Sequence, residues 1–303
     1  MNVIHIPLVT SRIINGLLLV FILIINFFYA FCIIFPPKPG QRKQPLTILL
    51  TNLILCTVCY CAFFSMLELF SQHLHFIPIF RFILFYTVDY SMVSYVWLNF
   101  YYYIQIVPAQ SALFHWVKRN IKSTIYVLLG IDILITIMSR IKLFTSILVE
   151  ISGFPSNATA GVFAMKPPDQ FSFFVIMMHG AVMLCVSVVS SLSTVCYLHK
   201  HMKNMGKMGT SISATRLRGQ MRVTITGIFQ GVLFFFYVSY LLCSGFTVMF
   251  SKFTLSIRIT FTINTFFLSG TTVTLGIGQN VFRQRIVDMY KALKRVSIFQ
   301  KSE

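Results

Sequence analysis

Acidic residues are nearly missing from this chain: 7 Asp and Glu stand against 25 Lys and Arg in 303 residues, and only 11% of the residues are charged. Average soluble domains carry about a quarter charged residues, so an ordinary soluble fold is excluded. Cysteine is missing from every gap between the apolar runs. Cys32, Cys56, Cys59, Cys61, Cys185, Cys196 and Cys243 all lie inside those runs, which excludes a readable disulfide framework and favours small core residues. No H-E-x-x-H triplet or paired-acid set is present, and His179 stands alone in an apolar run, so neither a metal centre nor an intramembrane hydrolase is indicated. No cofactor is expected. No internal repeat of the kind common in transporters is visible. The N-terminus, MNVIHIPLVTSR, has no basic region or small-residue cleavage site, so a cleaved signal peptide is not expected. The net charge of +18 raises nucleic acid as a partner. The basic residues sit in short gaps between oily segments rather than on one solvated face, and that distribution argues against it.

What is present is hydrophobicity along the whole length: 56% apolar residues, with 32 Phe. Roughly 20 apolar residues cross a bilayer as a helix, and seven segments qualify. They run over about Ile13–Phe35, Leu46–Phe70, Ile79–Val107, Thr124–Phe144, Phe171–Leu198, Val223–Phe250 and Ile259–Val281. The expected fold is an all-α membrane protein, one seven-helix domain over residues 1–303, with no strand alternation of the barrel type. Of the 25 basic residues, 18 fall in the first, third and fifth gaps and the tail, and 7 fall on the other side. Positive charge inside places the N-terminus outside the cell and the tail in the cytoplasm. The acceptor triplet at Asn157 falls on the predicted outer face, where a glycan is expected. After the seventh span, residues 282–303 form the cytoplasmic tail; Phe282, Ile286, Met289, Tyr290 and Leu293 follow helical spacing between basic residues. They predict a short amphipathic helix on the inner leaflet.

The fifth gap and its flanks, YLHKHMKNMGKMGTSISATRLRGQMR, contain six basic residues and no acid. His201, Met205, a Gly/Ser stretch and then Arg218-Gly219 before the sixth span resemble the vertebrate bitter taste receptor family, the type 2 taste receptors. Span three ends YYYIQIVPAQSALFHWVKRNIK, span seven ends LGIGQNVFRQ around Gly278, and span two opens LTNLILCT; each is similar to that family's pattern. The resemblance covers nearly the whole chain and is most specific in its inner half. It implies a G-protein-coupled receptor at the plasma membrane that binds small, often apolar bitter compounds and activates a heterotrimeric G protein of the gustducin type. The chain departs from the pattern at Thr57, where the family has Arg in span two, and at Thr271 and Thr272, where it has a His-Ser pair in span seven. The family's span-five Pro is absent, with Met183 nearby, whereas Asn26 matches the span-one Asn. Asn26, Thr57, Thr272 and Gly278 are therefore the candidate structural and activation positions. A type 1 vomeronasal (pheromone) receptor is the nearest alternative, and a transporter a distant one.

An acid in mid-membrane costs about 2.5–3.5 kcal/mol on insertion scales, so Asp89 of span three is a candidate for meeting a polar or cationic ligand. A bond to a neighbouring Tyr or Ser is the plainer reading. Phe85, Val88, Asp89 and Met92 share one helical face. Phe236 with Tyr240 in span six, and Asn264 with Phe267 in span seven, complete an expected ligand wall in the outer half. Asp132 in span four reads as a structural bond. The expected G-protein dock is rimmed by His201, Met205, Arg216, Arg218 and Arg222 at the inner end of spans five and six.

Overall fold

The computed structural model describes residues 2–4, 7–35, 44–70, 77–108, 111–153, 170–205, 212–250, 253–255 and 257–299. Among them, seven helices are long: α1 (Leu8–Ile34), α2 (Gln44–Leu69), α3 (Ile77–Ile106), α5 (Ile121–Gly153), α6 (Gln170–Met205), α7 (Ile212–Phe250) and α8 (Ile257–Gly278). Two shorter ones join them, α4 (Ala112–Arg119) between α3 and α5, and α9 (Asn280–Phe299) after α8. Consecutive long helices pack side by side, and α8 returns to α1, so the bundle closes into a ring. The third helix also touches α6 and α7, which makes it the enclosed member. The eight consecutive residues from Ser91 to Leu98, which point to every side of α3, are all buried.

Five of the seven long helices are apolar and long enough to cross a membrane: Leu8–Ile34, Pro45–Leu69, and stretches within α5, α6 and α7. The other two, α3 and α8, bury most of their side chains inside the bundle, although Phe266 and Ile277 of α8 face outward. Thr260, Asn264, Thr265, Thr271 and Thr272 of α8 are all buried, and each threonine hydroxyl that donates to the carbonyl three or four residues back satisfies itself inside its own helix. Hydrophobicity alone therefore understates the two helices that hold the centre.

Three differences from the sequence reading have physical causes. The sixth helix runs 36 residues and the seventh 39, about 54 and 58 Å at 1.5 Å per residue, well beyond a hydrocarbon core of roughly 30 Å. Thus His201, Met205, Arg216, Arg218 and Arg222 sit on helical extensions rather than in a loop, because Lys, Arg and Met sustain a helix as well as Leu does. Second, α4 occupies what reads as a connecting loop: Ser111 caps it by accepting a hydrogen bond from Phe114 N at 3.2 Å. Third, β1 (Asn2–Ile4) pairs in parallel with β2 (Phe253–Leu255) between α7 and α8. Three-residue strands are too short to show any alternation in sequence.

Candidate functional site

A small cavity opens between α3, α5, α6 and α7, with a volume of about 40 Å³. Asp89 and Met92 come from α3, Thr136 and Ser139 from α5, and His179 and Met183 from α6; Phe234 and Val238 of α7 close it. Each helix arrives because its buried stripe faces the ring interior. Asp132, which is 3% exposed, holds His179 in place. Its Oδ2 accepts from Trp97 Nε1 at 2.5 Å, and its Oδ1 lies 3.0 Å from His179 Nε2. One carboxylate thus ties α3, α5 and α6 together. Ser139 donates to Thr136 O at 3.0 Å, while the Thr136 hydroxyl, on a residue 2% exposed, has no hydrogen-bond partner among the described residues. That hydroxyl and the Asp89 carboxylate are both polar members of the lining.

Roughly 10–15 Å³ holds one water-sized probe, so about 40 Å³ holds a few waters and not a drug-sized molecule. Three methionines, Met92, Met177 and Met183, line it. Unbranched thioether side chains change shape at low cost, so this wall can enlarge where a wall of Ile or Phe would resist.

Of the residues expected to form a ligand wall, only Asp89 and Met92 line this cavity. Phe85 stacks on Phe261 with centroids 5.8 Å apart, and Val88 is fully buried; both pack the core. The expectation that Phe236 faces inward is corrected: its side chain is 66% exposed on the outside of the bundle. Its neighbour Tyr237 is the inward residue, bonding Asn264 Oδ1 at 2.9 Å and packing on Phe267 at 4.6 Å. One step along a helix turns a side chain by about 100°, and in the run Phe234-Phe235-Phe236-Tyr237 composition does not reveal which one faces in. Tyr240 bonds Thr260 Oγ1 at 2.8 Å across to α8, so Tyr240, Asn264 and Phe267 form an α7–α8 seam rather than the cavity wall. His179 was the residue sequence missed; isolated in its own span, it gains meaning only from Asp132, 47 positions away.

At the other end of the bundle, Asn26 donates to Thr272 Oγ1 at 3.3 Å and to Ile22 O at 2.9 Å, so these two positions meet across α1 and α8. Thr57 donates instead to Leu53 O in its own helix at 2.7 Å and makes no cross-helix bond among the described residues. Gly278 lets α7 approach α8: a Cβ there would lie 2.7 Å from Thr226 Oγ1. Further along, Tyr95 and Thr274 share a hydrogen bond at 2.9 Å and Thr274 donates to Gln230 Oε1 at 2.9 Å, joining α3, α8 and α7. His201 packs near Tyr197 with ring centroids 5.8 Å apart. Met205, Arg216 and Arg218 lie on helical backbone, but their side chains fall outside the described residues, and Asn157 lies outside them altogether.

A closed ring of long apolar helices with a polar cluster inside it defines a multi-pass membrane protein. The family described as Taste receptor protein (TAS2R) matches residues 41–294, and the chain belongs to that family. It is accordingly a receptor of the G-protein-coupled class rather than a member of an enzyme family. No curated protein matches the chain.

Proposed function

We propose that this protein is a bitter taste receptor of the plasma membrane, a single seven-helix domain with its N-terminus outside and its tail in the cytoplasm. A small bitter compound enters between α3, α5, α6 and α7, and the inner ends of α6 and α7 engage a heterotrimeric G protein of the gustducin type. The observation that carries this reading is the cavity where Asp89 and the unpartnered Thr136 hydroxyl face a methionine-lined wall. Guests with a donor or cationic group beside an apolar body suit it. Binding must separate α3 from α6 and α7 to make room, and the long helical levers of α6 and α7 carry that displacement to the basic end. His201, Met205, Arg216, Arg218 and Arg222 on those levers are the proposed docking rim.

The test is a calcium response to a panel of bitter compounds in cells that express the chain with a gustducin-type α subunit, at matched surface level. Asp89→Ala is expected to raise the half-maximal concentration of cationic or donor-bearing agonists roughly tenfold or more, the loss of about one charge-assisted hydrogen bond. Phe236→Ala is expected to leave it unchanged. The reverse pattern would move the binding site to the outer face of α7. Silence from well-delivered protein across the panel would remove the bitter assignment.

A further inference from the structure

A groove on the side of the bundle is separate from the cavity and shares only Arg222 with the proposed docking rim. It lies between α1, α8 and α9 and measures about 790 Å³, within the roughly 300–1,000 Å³ usual for ligand pockets. Tyr29 and Gly276 form its floor, and Ile24 and Ile277 its walls. The floor is firm: Tyr29 donates to Thr272 O at 3.0 Å and stacks on Phe282 at 4.2 Å. The walls face outward, Ile24 being 65% and Ile277 54% exposed, on helices whose outer faces meet lipid. A second cleft of about 520 Å³ between α7 and α8 continues it, sharing Arg222 and Ile277.

Two arginines from separate elements, Arg222 of α7 and Arg283 of α9, line the same apolar groove. Arg283 gives one N–H to Asn280 Oδ1 at 2.5 Å and, with a guanidinium's five donors, has others to offer. Arg285, over the Phe31 ring at 5.4 Å, adds a third cation at this end of α1. The only acid in α9 is Asp288, on an exposed position. An apolar groove with two arginines in its lining suits a phospholipid, which carries an anionic group beside long apolar chains, better than a soluble anion or a peptide. We propose that this groove binds one anionic phospholipid of the adjacent leaflet, its phosphate between Arg222 and Arg283 and one acyl chain along α1 and α8. The proposal rests on the membrane embedding of the bundle and is independent of the cavity between α3, α5, α6 and α7.

Native mass spectrometry of the purified full chain, offered equal amounts of phosphatidylserine and phosphatidylcholine with identical acyl chains, tests it. Phosphatidylserine should be retained over phosphatidylcholine roughly thirtyfold, the order set by two basic groups near an anionic headgroup. Arg222→Gln with Arg283→Gln should abolish that preference, and the corresponding Lys pair should keep most of it. Glycerophosphoserine, which has the headgroup and no chains, should fail to displace the bound lipid. Equal retention of both lipids by the unaltered chain overturns the proposal without any variant having to fold. A preference that survives the double Gln change, or ready displacement by glycerophosphoserine, overturns it too.

Discussion

At the scale of single residues, Asp132 has the widest reach. A buried carboxylate is costly unless it is hydrogen-bonded, and here two side chains from two other helices supply the bonds. Neutralising the carboxylate by Asp132→Ala leaves the Trp97 indole N–H and the His179 ring nitrogen without that partner. The expected cost is about 1–3 kcal/mol, seen as a fall of several degrees in the thermal midpoint of the detergent-solubilised receptor. Trp97→Phe removes a donor and not the acceptor of both, and should cost less; an equal or larger effect for Trp97→Phe would mean that indole packing, not the carboxylate, holds the junction. The exposed pair Arg12–Glu68, at 2.8 Å, is the contrasting case. Solvated ion pairs of that kind contribute about 0–1 kcal/mol.

At the scale of elements, α8 is the helix on which the others register. It meets α1 through Asn26–Thr272 and Tyr29, α3 through Tyr95–Thr274, and α7 through Tyr237–Asn264. Close approach to α1 depends on Gly276, where a Cβ would lie 2.0 Å from Tyr29 Oη. Tyr29 cannot swing aside cheaply, since it is bonded at its hydroxyl and stacked on Phe282. Gly276→Ala should therefore cost about 1–3 kcal/mol, the range of overpacking in a filled core. Combining it with Tyr29→Phe, which deletes the oxygen in the way, should cost less than the sum of the two single changes. Strict additivity in a double-mutant thermal series would show that the clash relaxes elsewhere.

For the whole molecule the governing quantity is the distribution of charge. The basic ends of α6, α7 and α9 and the gaps on that side carry 18 of the 25 Lys and Arg, so that end is expected in the cytoplasm. Endoglycosidase treatment should then shift the electrophoretic mobility of the expressed chain, and Asn157→Gln should remove the shift. An epitope appended after Glu303 should be labelled only after permeabilisation. Labelling of intact cells at that epitope would invert the topology and with it the proposed ligand and G-protein ends. The amphipathic tail fits this orientation physically: Phe282 is buried against Tyr29, while Ile286, Met289 and Tyr290 are exposed along α9, a stripe suited to lie in an interface.

Sequence by itself determined the class of molecule, because hydropathy and charge asymmetry are properties of composition along the chain and need no partner. It also determined the family, through short motifs such as those around His201 and Gly278. Asn26 and Thr272 were legible individually as positions of interest, yet that they touch was decided only when α1 packed on α8. The inward face of α7 was not legible, since four consecutive aromatic residues offer every direction at once and only packing selected Phe234 and Tyr237 over Phe236. Nor was the junction of Asp132, Trp97 and His179, whose members lie in three separate helices and become a polar site only where the ring brings them within hydrogen-bond reach. The sequence specified which segments prefer lipid to water; the tertiary structure decided which side chains meet, because contacts between helices depend on rotation and register that local composition does not encode.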